Sequence, residues 1–322
     1  MRAPNFWFQP FSVLSFFLKP LSWIYELVHY LRWKFTSPKK ASIPVICIGN
    51  PGVGGAGKTP TALEIGKILQ SLHLNISYLT RGYGGKETGP LDIDSLKHTA
   101  DQVGDEPLLL AKQAQTIMAK DRAQGLTLIH KKTDIIIMDD GYQNPGLKKD
   151  LNLLVIDGPR GFGNGFVFPA GPLREPLDMS LSRASLVVVL GKPTTSVKKT
   201  LGKMPSPIFY GQLKIQPPKA LKNPLYAFAG IAFPEKFFDS LKGEKFILKK
   251  TKGFPDHYQY TKTDLTQIKK EAEKLGLDIV TTEKDYYRIP ENQRSGIIPI
   301  PVQIEWDDEA SLKTFLKKKL AL

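Results

Sequence analysis

The stretch Gly52–Pro60, GVGGAGKTP, decides how this chain is read. It follows a β-branched run at 44–48 and precedes helix-compatible sequence from about Pro60 to Leu72, so it sits where a strand hands over to a helix. In that setting Gly52-x4-Gly57-Lys58-Thr59 reads as a phosphate-binding loop. Gly52, Val53, Gly54, Gly55, Ala56 and Gly57 let successive backbone N–H groups converge on the phosphates of a nucleotide, and the helix N-terminus adds a favourable dipole. Lys58 is placed to neutralise charge passing to the leaving group, and Thr59 to ligate Mg2+. Pro60 suits the first helical turn, where its missing N–H costs nothing.

Working outward, the next decisive stretch is DIIIMDDGYQ at 134–143. Four apolar residues ending in Asp139 and Asp140 describe a buried parallel strand with acids at its carboxyl end, where Mg2+ beside a phosphate loop needs a carboxylate. Two adjacent acids allow one to face an ion while the other orients something else. NISYLT (75–80), LNLLVID (151–157) and SLVVVLG (185–191) repeat the buried-strand pattern, and 108–118 has helical spacing of its apolar residues. Strands alternating with helical stretches predict an α/β, doubly wound, mostly parallel sheet of the P-loop NTPase type, with ligands at the strand carboxyl ends. The polar stretch 86–104 reads as a long loop or flap.

After about residue 200 proline becomes frequent and a new strand–helix series begins. Strands are expected within 224–232, 244–250, 277–285 and 297–304, and helices at 263–276 and 309–320. The expected organisation is an N-terminal segment 1–40, a phosphate-loop core 41–211 and a smaller α/β unit 212–322.

Composition narrows the class. At 41% hydrophobic and 24% charged the chain is globular, and a net charge of +14 asks for an anionic partner: nucleic acid, a membrane surface or an anionic small substrate. The single cysteine, Cys47, cannot form an internal disulfide and reads as a small buried hydrophobe. In the N-terminal segment, the apolar run Phe11–Leu18 is interrupted by Lys19-Pro20, too short for the roughly 20 apolar residues of a spanning helix. No small-residue cleavage site follows it. Residues 21–35 are amphipathic, with Trp23, Tyr25, Tyr30 and Trp33 suited to a headgroup region and Arg32, Lys34, Lys39 and Lys40 to anionic lipid. The expectation is an interfacial helix; the alternative is a helix packed on the protein's own core.

Further motifs follow in order: VGDEP at 103–107, which puts Asp105 and Glu106 at the start of a helix, where the dipole alone favours acids; the glycine- and proline-rich 158–176; and FPDHY at 254–258, with His257 beside Asp256. Together with IGNPGVGGAGKTP, LTRGYGG, DDGYQ, VIDGPRGFGNG, PAGPLREP and TTEKDYYR, they resemble the tetraacyldisaccharide 4'-kinases over roughly residues 40–290. That family phosphorylates the 4'-hydroxyl of a lipid A disaccharide precursor at the inner membrane of Gram-negative bacteria.

The resemblance implies ATP and Mg2+ as cofactors, a lipid A disaccharide 1-phosphate as acceptor, and residence at the cytoplasmic face of the inner membrane, with neither nucleic acid nor an obligate protein partner. It implies that Asp105 is the catalytic acid working with His257, that Asp139 and Asp140 are the paired acids, and that Glu175 handles Mg2+. Arg174 is expected near phosphate and, with Glu106 and Gln143, among the substrate-binding residues. By this reading Asp105 and His257 lie on different units, so closure is expected to bring them together, and burial of the pair to raise its basicity. Two other classes compete with this reading. A partitioning-type regulatory ATPase carries a lysine after the first glycine of the loop, where this chain has Val53. A nucleic-acid-stimulated ATPase suits the charge, but no stacking-aromatic module is evident.

Overall fold

A computed structural model describes residues 4–9, 12–219, 221 and 223–321. Phe11, at the start of the expected apolar run, and both chain ends of the expected units lie outside the described residues.

In chain order the strands are β1 (Val45–Gly49), β2 (Ile76–Thr80), β3 (Leu91–Asp92), β4 (Gln115–Met118), β5 (Ile135–Asp139), β6 (Leu151–Asp157), β7 (Leu186–Leu190) and β8 (Ile208–Ile215), then β9 (Leu225–Ala229), β10 (Leu248–Gly253), β11 (Asp278–Thr282), β12 (Ile297–Ile300) and β13 (Val302–Trp306). Helices α1 (Val13–Phe35), α2 (Lys58–Gln70), α3 (Ala100–Val103), α4 (Asp105–Ala111), α5 (Arg122–Gly125), α6 (Leu177–Ser182) and α7 (Thr195–Leu201) accompany the first series. The second carries α8 (Pro234–Gly243), α9 (Lys262–Leu275), α10 (Glu283–Arg288) and α11 (Glu309–Leu320).

The large sheet runs β13-β8-β7-β6-β1-β5-β2-β4-β3. Its pairs are parallel except β13 with β8 and β3 with β4. Both faces are covered, which is why the central strands read as unbroken apolar runs. Ile46 and Ile48 of β1 point into one core with α2 and α11, and Val45 and Cys47 into the other with Tyr142, Phe162 and Leu173. Cys47 is fully buried there, and burial pushes its thiol up to about 11. The second sheet, β10-β9-β11-β12, is wholly parallel and is also cored on both faces, by Tyr226 and Phe228 on one side and Leu225, Ala227 and Ala229 on the other.

The structure corrects several expectations. The helix expected over 108–118 stops at Ala111, and Gln115–Met118 is instead a strand pairing in parallel with β2 and antiparallel with β3; pairing on both sides outweighs local helical spacing. A strand forms at 208–215, in sequence whose frequent prolines give no strand signal. The apolar run 297–304 divides at Pro301, which has no N–H for a ladder. Its first half stays in the small sheet, and its second half returns to the large one, pairing antiparallel with β8. Residues 302–320 therefore belong with the large sheet rather than the smaller unit, because Ile304, Leu312 and Leu316 bury their side chains in its core. Finally, α1 continues through Pro20, since Ser15 and Ser22 dock it on either side of that residue.

Candidate active site

The phosphate loop leaves β1 and enters α2 at Gly57, whose φ of 88° is in the left-handed region; a Cβ there would stand 2.5 Å from Leu190. Glycine alone meets both demands. The loop is braced from outside by the glycine- and proline-rich segment: Val53 N donates to Pro172 O at 2.7 Å, and Arg174 N to Pro51 O at 2.8 Å. The Asn50 side chain donates to Gly52 O at 2.7 Å. Phe8, Asp157, Arg160 and Phe233 share a cleft with loop residues 50–56.

The two acids closing β5 divide their contacts. Asp139 accepts from Thr59 Oγ1 at 3.3 Å through Oδ2, while its buried Oδ1 has no hydrogen-bond partner among the described residues. Burial, with Glu106 and Asp140 nearby, pushes its carboxyl up to about 7. Asp140, at φ 50°, faces the opposite way: its Oδ1 takes Arg174 Nη1 at 2.7 Å and lies 3.6 Å from Lys58 Nζ. Burial opposes its ionisation, yet Lys58 and Arg174 hold it far below the usual carboxylate range. An unpartnered buried carboxylate oxygen beside a threonine hydroxyl fits a hard divalent cation. Among the described residues no three His, Cys, Asp or Glu side chains converge on a metal-sized point. An ion here would therefore rest on Asp139, Thr59 and the oxygens of a bound nucleotide, as Mg2+ commonly does.

Glu175 is placed otherwise than expected. It is fully buried, its Oε1 accepting from Gln143, Ser180 and Arg183 and its Oε2 from Arg183 at 2.6 Å, with His29 Nε2 at 3.1 Å. Burial works against ionisation, but the His29 and Arg183 contacts bring its carboxyl down to about 2. Both oxygens are committed to protein donors, so this carboxylate anchors side chains rather than offering a lone pair to an ion. Gln143 is likewise engaged: its Nε2 donates to Glu175 and, at 3.0 Å, to Asn50 O.

Asp105 and Glu106 open α4 without capping it; both reach across to α10 of the second sheet. Gly104, at φ 88°, precedes them and lies so close to Tyr83 O that a Cβ would stand 2.5 Å away, which locks the RGYGG turn beneath this corner. Glu106 pairs with Lys284 at 2.6 Å, and the buried Asp105 accepts from Arg288 Nη2 through Oδ2. Arg288 Nη1 donates to Gly230 O and Asp285. His257, at φ 55°, presents Nδ1 3.7 Å from Asp105 Oδ1 and 3.3 Å from Arg288 Nη2.

Two expectations change here. Asp105 and His257 already adjoin across the seam, with no closure needed to bring them near. Burial alone would raise the basicity of Asp105, but Arg288, Lys284 and His257 together hold it below the usual range. Arg288 and Lys284 escaped the sequence reading although both lie in the quoted TTEKDYYR; basic residues on a short helix resemble any solvated face until their acidic partners are known. Arg122 escaped too: it is buried, bonded among the described residues only to the Ala119 and Lys120 carbonyls, and burial pushes it down to about 10.

With this geometry in view, the relatives are informative. Residues 14–321 match the family profile of LpxK, tetraacyldisaccharide-1-P 4'-kinase. A tetraacyldisaccharide 4'-kinase of Bradyrhizobium diazoefficiens is 40% identical over 99% of this chain and 97% of its own length. One from Rhodopseudomonas palustris strain BisA53 is 39% identical over 99% and 96%. Among solved structures, the apo-form LpxK of Aquifex aeolicus in complex with ATP superposes with a TM-score of 0.77 at 26% identity, covering 96% of this chain and all of that one.

Proposed function

This chain belongs to the tetraacyldisaccharide 4'-kinase family, and we propose that its Gly52–Thr59 loop binds ATP and delivers the γ-phosphoryl group to the acceptor sugar held against Asp105 and His257. Its activity is that of a tetraacyldisaccharide 4'-kinase in lipid A biosynthesis, with the 4'-hydroxyl of a tetraacyl-disaccharide 1-phosphate as acceptor. The observation that supports the site assignment is geometric: the RGYGG turn leaves β2 beside the Asp139 strand β5, packs against Gly104 just before Asp105, and sets the Tyr83 ring 5.0 Å from that of His257.

The acceptor oxygen forms a bond to the γ-phosphorus as the bond from that phosphorus to the ADP oxygen breaks, and the hydroxyl proton passes to the Asp105–His257 pair. A sugar hydroxyl is a very weak acid, so the pair orients it and takes its proton late. Arg288 donates to Nδ1 of His257, which leaves Nε2 carrying the ring proton in this resting arrangement. Lys58 follows negative charge toward the β-phosphate once ATP replaces Asp140 as its partner. Mg2+ held by Asp139 and Thr59 would neutralise charge on the nucleotide oxygens. Arg174, paired with Asp140 at the loop's edge, is suited to a phosphate oxygen.

We also assign the enzyme to the cytoplasmic face of the inner membrane. Among the described residues no helix is long and apolar enough to cross a membrane. What supports surface seating is that α1 is inside-out: its polar Ser15, Ser22 and His29 are buried against the protein, while Phe16, Phe17, Trp23, Ile24, Leu27 and Val28 face outward. An apolar stripe of this length turned away from the core calls for an apolar medium.

The test is transfer of phosphate from ATP to a detergent-dispersed lipid A disaccharide 1-phosphate, with Lys58→Ala as control. The native chain should form the 4'-phosphate, and the variant should lose about 10²–10³ in kcat. Equal rates in a folded Lys58→Ala protein would overturn the loop assignment.

A further inference from the structure

We infer that His29 is a positioning residue for the phosphate loop, acting through Glu175 and Gln143, so that seating of α1 and binding of ATP are coupled. The inference rests on the reading of Gly52–Thr59 as the ATP loop.

The three buried polar residues of α1 recur every seven positions, which keeps them on one helix face. Two of them make only docking contacts. Ser15 meets Asn164 at 3.0 Å, and Ser22 donates to Val167 O at 2.7 Å. His29 differs, because its partner is the carboxylate that organises the loop's shoulder. The path is short and continuous: His29 Nε2 to Glu175 Oε2 at 3.1 Å, Glu175 Oε1 to Gln143 Nε2 at 2.9 Å, Gln143 Nε2 to Asn50 O at 3.0 Å, and Asn50 Nδ2 to Gly52 O at 2.7 Å. One turn beyond His29, Trp33 lies 4.3 Å from the guanidinium of Arg183, the other main partner of Glu175. Helix α1 thus touches both members of the buried Glu175–Arg183 pair.

Glu175 is over-determined as it stands, with donors arriving from four side chains. Removing His29 frees half of Oε2 and opens space beside it, so the carboxylate turns toward Arg183 and its hold on Gln143 loosens. The Asn50 carbonyl then loses a fixed donor at the point where the phosphate loop begins. Coupling of this kind is reciprocal, since whatever seats α1 and fixes His29 favours the loop geometry that ATP selects. A helix that merely tethers the enzyme would need no such contact: Ser15, Ser22 and the outward apolar face suffice for that.

The experiment compares ATP affinity, without lipid, of the full chain and of His29→Ala, His29→Asn and His29→Gln. Binding to vesicles and the KM for the acceptor lipid are measured in parallel. Glutamine can place an amide N–H where Nε2 stands, whereas asparagine is too short. The expected result is an ATP Kd raised about fivefold in His29→Ala and His29→Asn, and restored to within about twofold by His29→Gln, with vesicle binding and lipid KM unchanged. In a Gln143→Leu background the His29→Ala change should shrink to less than about twofold, because the path is already cut. Should His29→Ala fail to fold, the asparagine–glutamine contrast decides alone. An unchanged ATP Kd, a loss confined to vesicle binding or lipid KM, or full additivity with Gln143→Leu would overturn the inference. Lys58→Ala separates the premise: if that variant still binds ATP like the native chain, the loop reading itself has failed.

Discussion

Asp105 and His257 face each other across the seam between the two sheets at 3.7 Å, beyond hydrogen-bond reach, with the Arg288 guanidinium touching both. The carboxylate comes from the first turn of α4, the imidazole from the loop after β10, and the arginine from α10. The guanidinium therefore helps keep Asp105 ionised through Oδ2, while the imidazole faces Oδ1.

Arg288→Gln should expose that dependence. Breaking a buried pair costs about 3–5 kcal/mol, so urea denaturation should show a loss of that order. Without the guanidinium, burial of Asp105 is opposed only by Lys284 and His257 and its carboxyl rises, which moves the acid limb of the kcat/KM profile to higher pH. An unshifted limb would show that Asp105 is not the group being titrated. As members of one unit, Asp105→Ala and His257→Ala should each lose heavily in kcat, and the double variant should be scarcely worse than the poorer single.

Asp139→Asn should raise the Mg2+ concentration needed for half-maximal rate and lower kcat by at least about 10². Because the native carboxylate is buried at some cost to its ionisation, the amide should leave the ligand-free fold equally or more stable. A Mg2+ titration and a melting curve, run together, check both halves. An unaltered Mg2+ requirement would remove the metal from this strand end.

Glu175 sets a pH dependence of stability. Its folded carboxyl, at about 2, lies below the ordinary value of 4.5, so the folded state holds fewer protons than the unfolded one between those limits. Its contribution is complete above the unfolded value and drains away as pH falls from about 4.5 to 2, amounting to about 3 kcal/mol. In Glu175→Gln the acid limb of a stability–pH curve should flatten in that window. Parallel curves for the two proteins would mean the buried network is not ionic.

The outward face of α1 gives a fourth expectation. Replacing Phe17, Trp23 and Val28 by serine should weaken binding to anionic vesicles by about 10²-fold or more while leaving the melting temperature within about 2 °C, because these side chains touch little of the protein. A comparable substitution at Ser22, which docks the helix through Val167 and Ala170, should do the reverse. If the apolar face proves to govern melting instead, α1 is packing on something other than lipid.

Much of the large sheet was legible because its signals are local. β1, β2, β5, β6 and β7 are apolar runs bounded by turns, and the glycine loop lies between a strand and a helix where its N–H groups must converge. Asp139 and Asp140 could be placed at a strand end for the same reason. The strands at 115–118 and 208–215 were not legible, since each owes its conformation to the strands paired on either side of it rather than to its own pattern.

By itself the sequence determined the phosphate loop, the parallel strand series and the identity of the residues gathered there, since backbone freedom at glycine, β-branched runs and acids at strand ends act within a few residues. Only the tertiary structure decided how those groups are shared out. Glu175 became an anchor because Arg183, just past α6, and His29, on α1, reach it from 8 and 146 residues away, and Asp105 became a held anion because Arg288 arrives from 183 residues downstream. The inward turn of Ser15, Ser22 and His29 belongs with these. Periodicity defines which residues share a helix face, but only the partners waiting on the protein surface determine which face is buried.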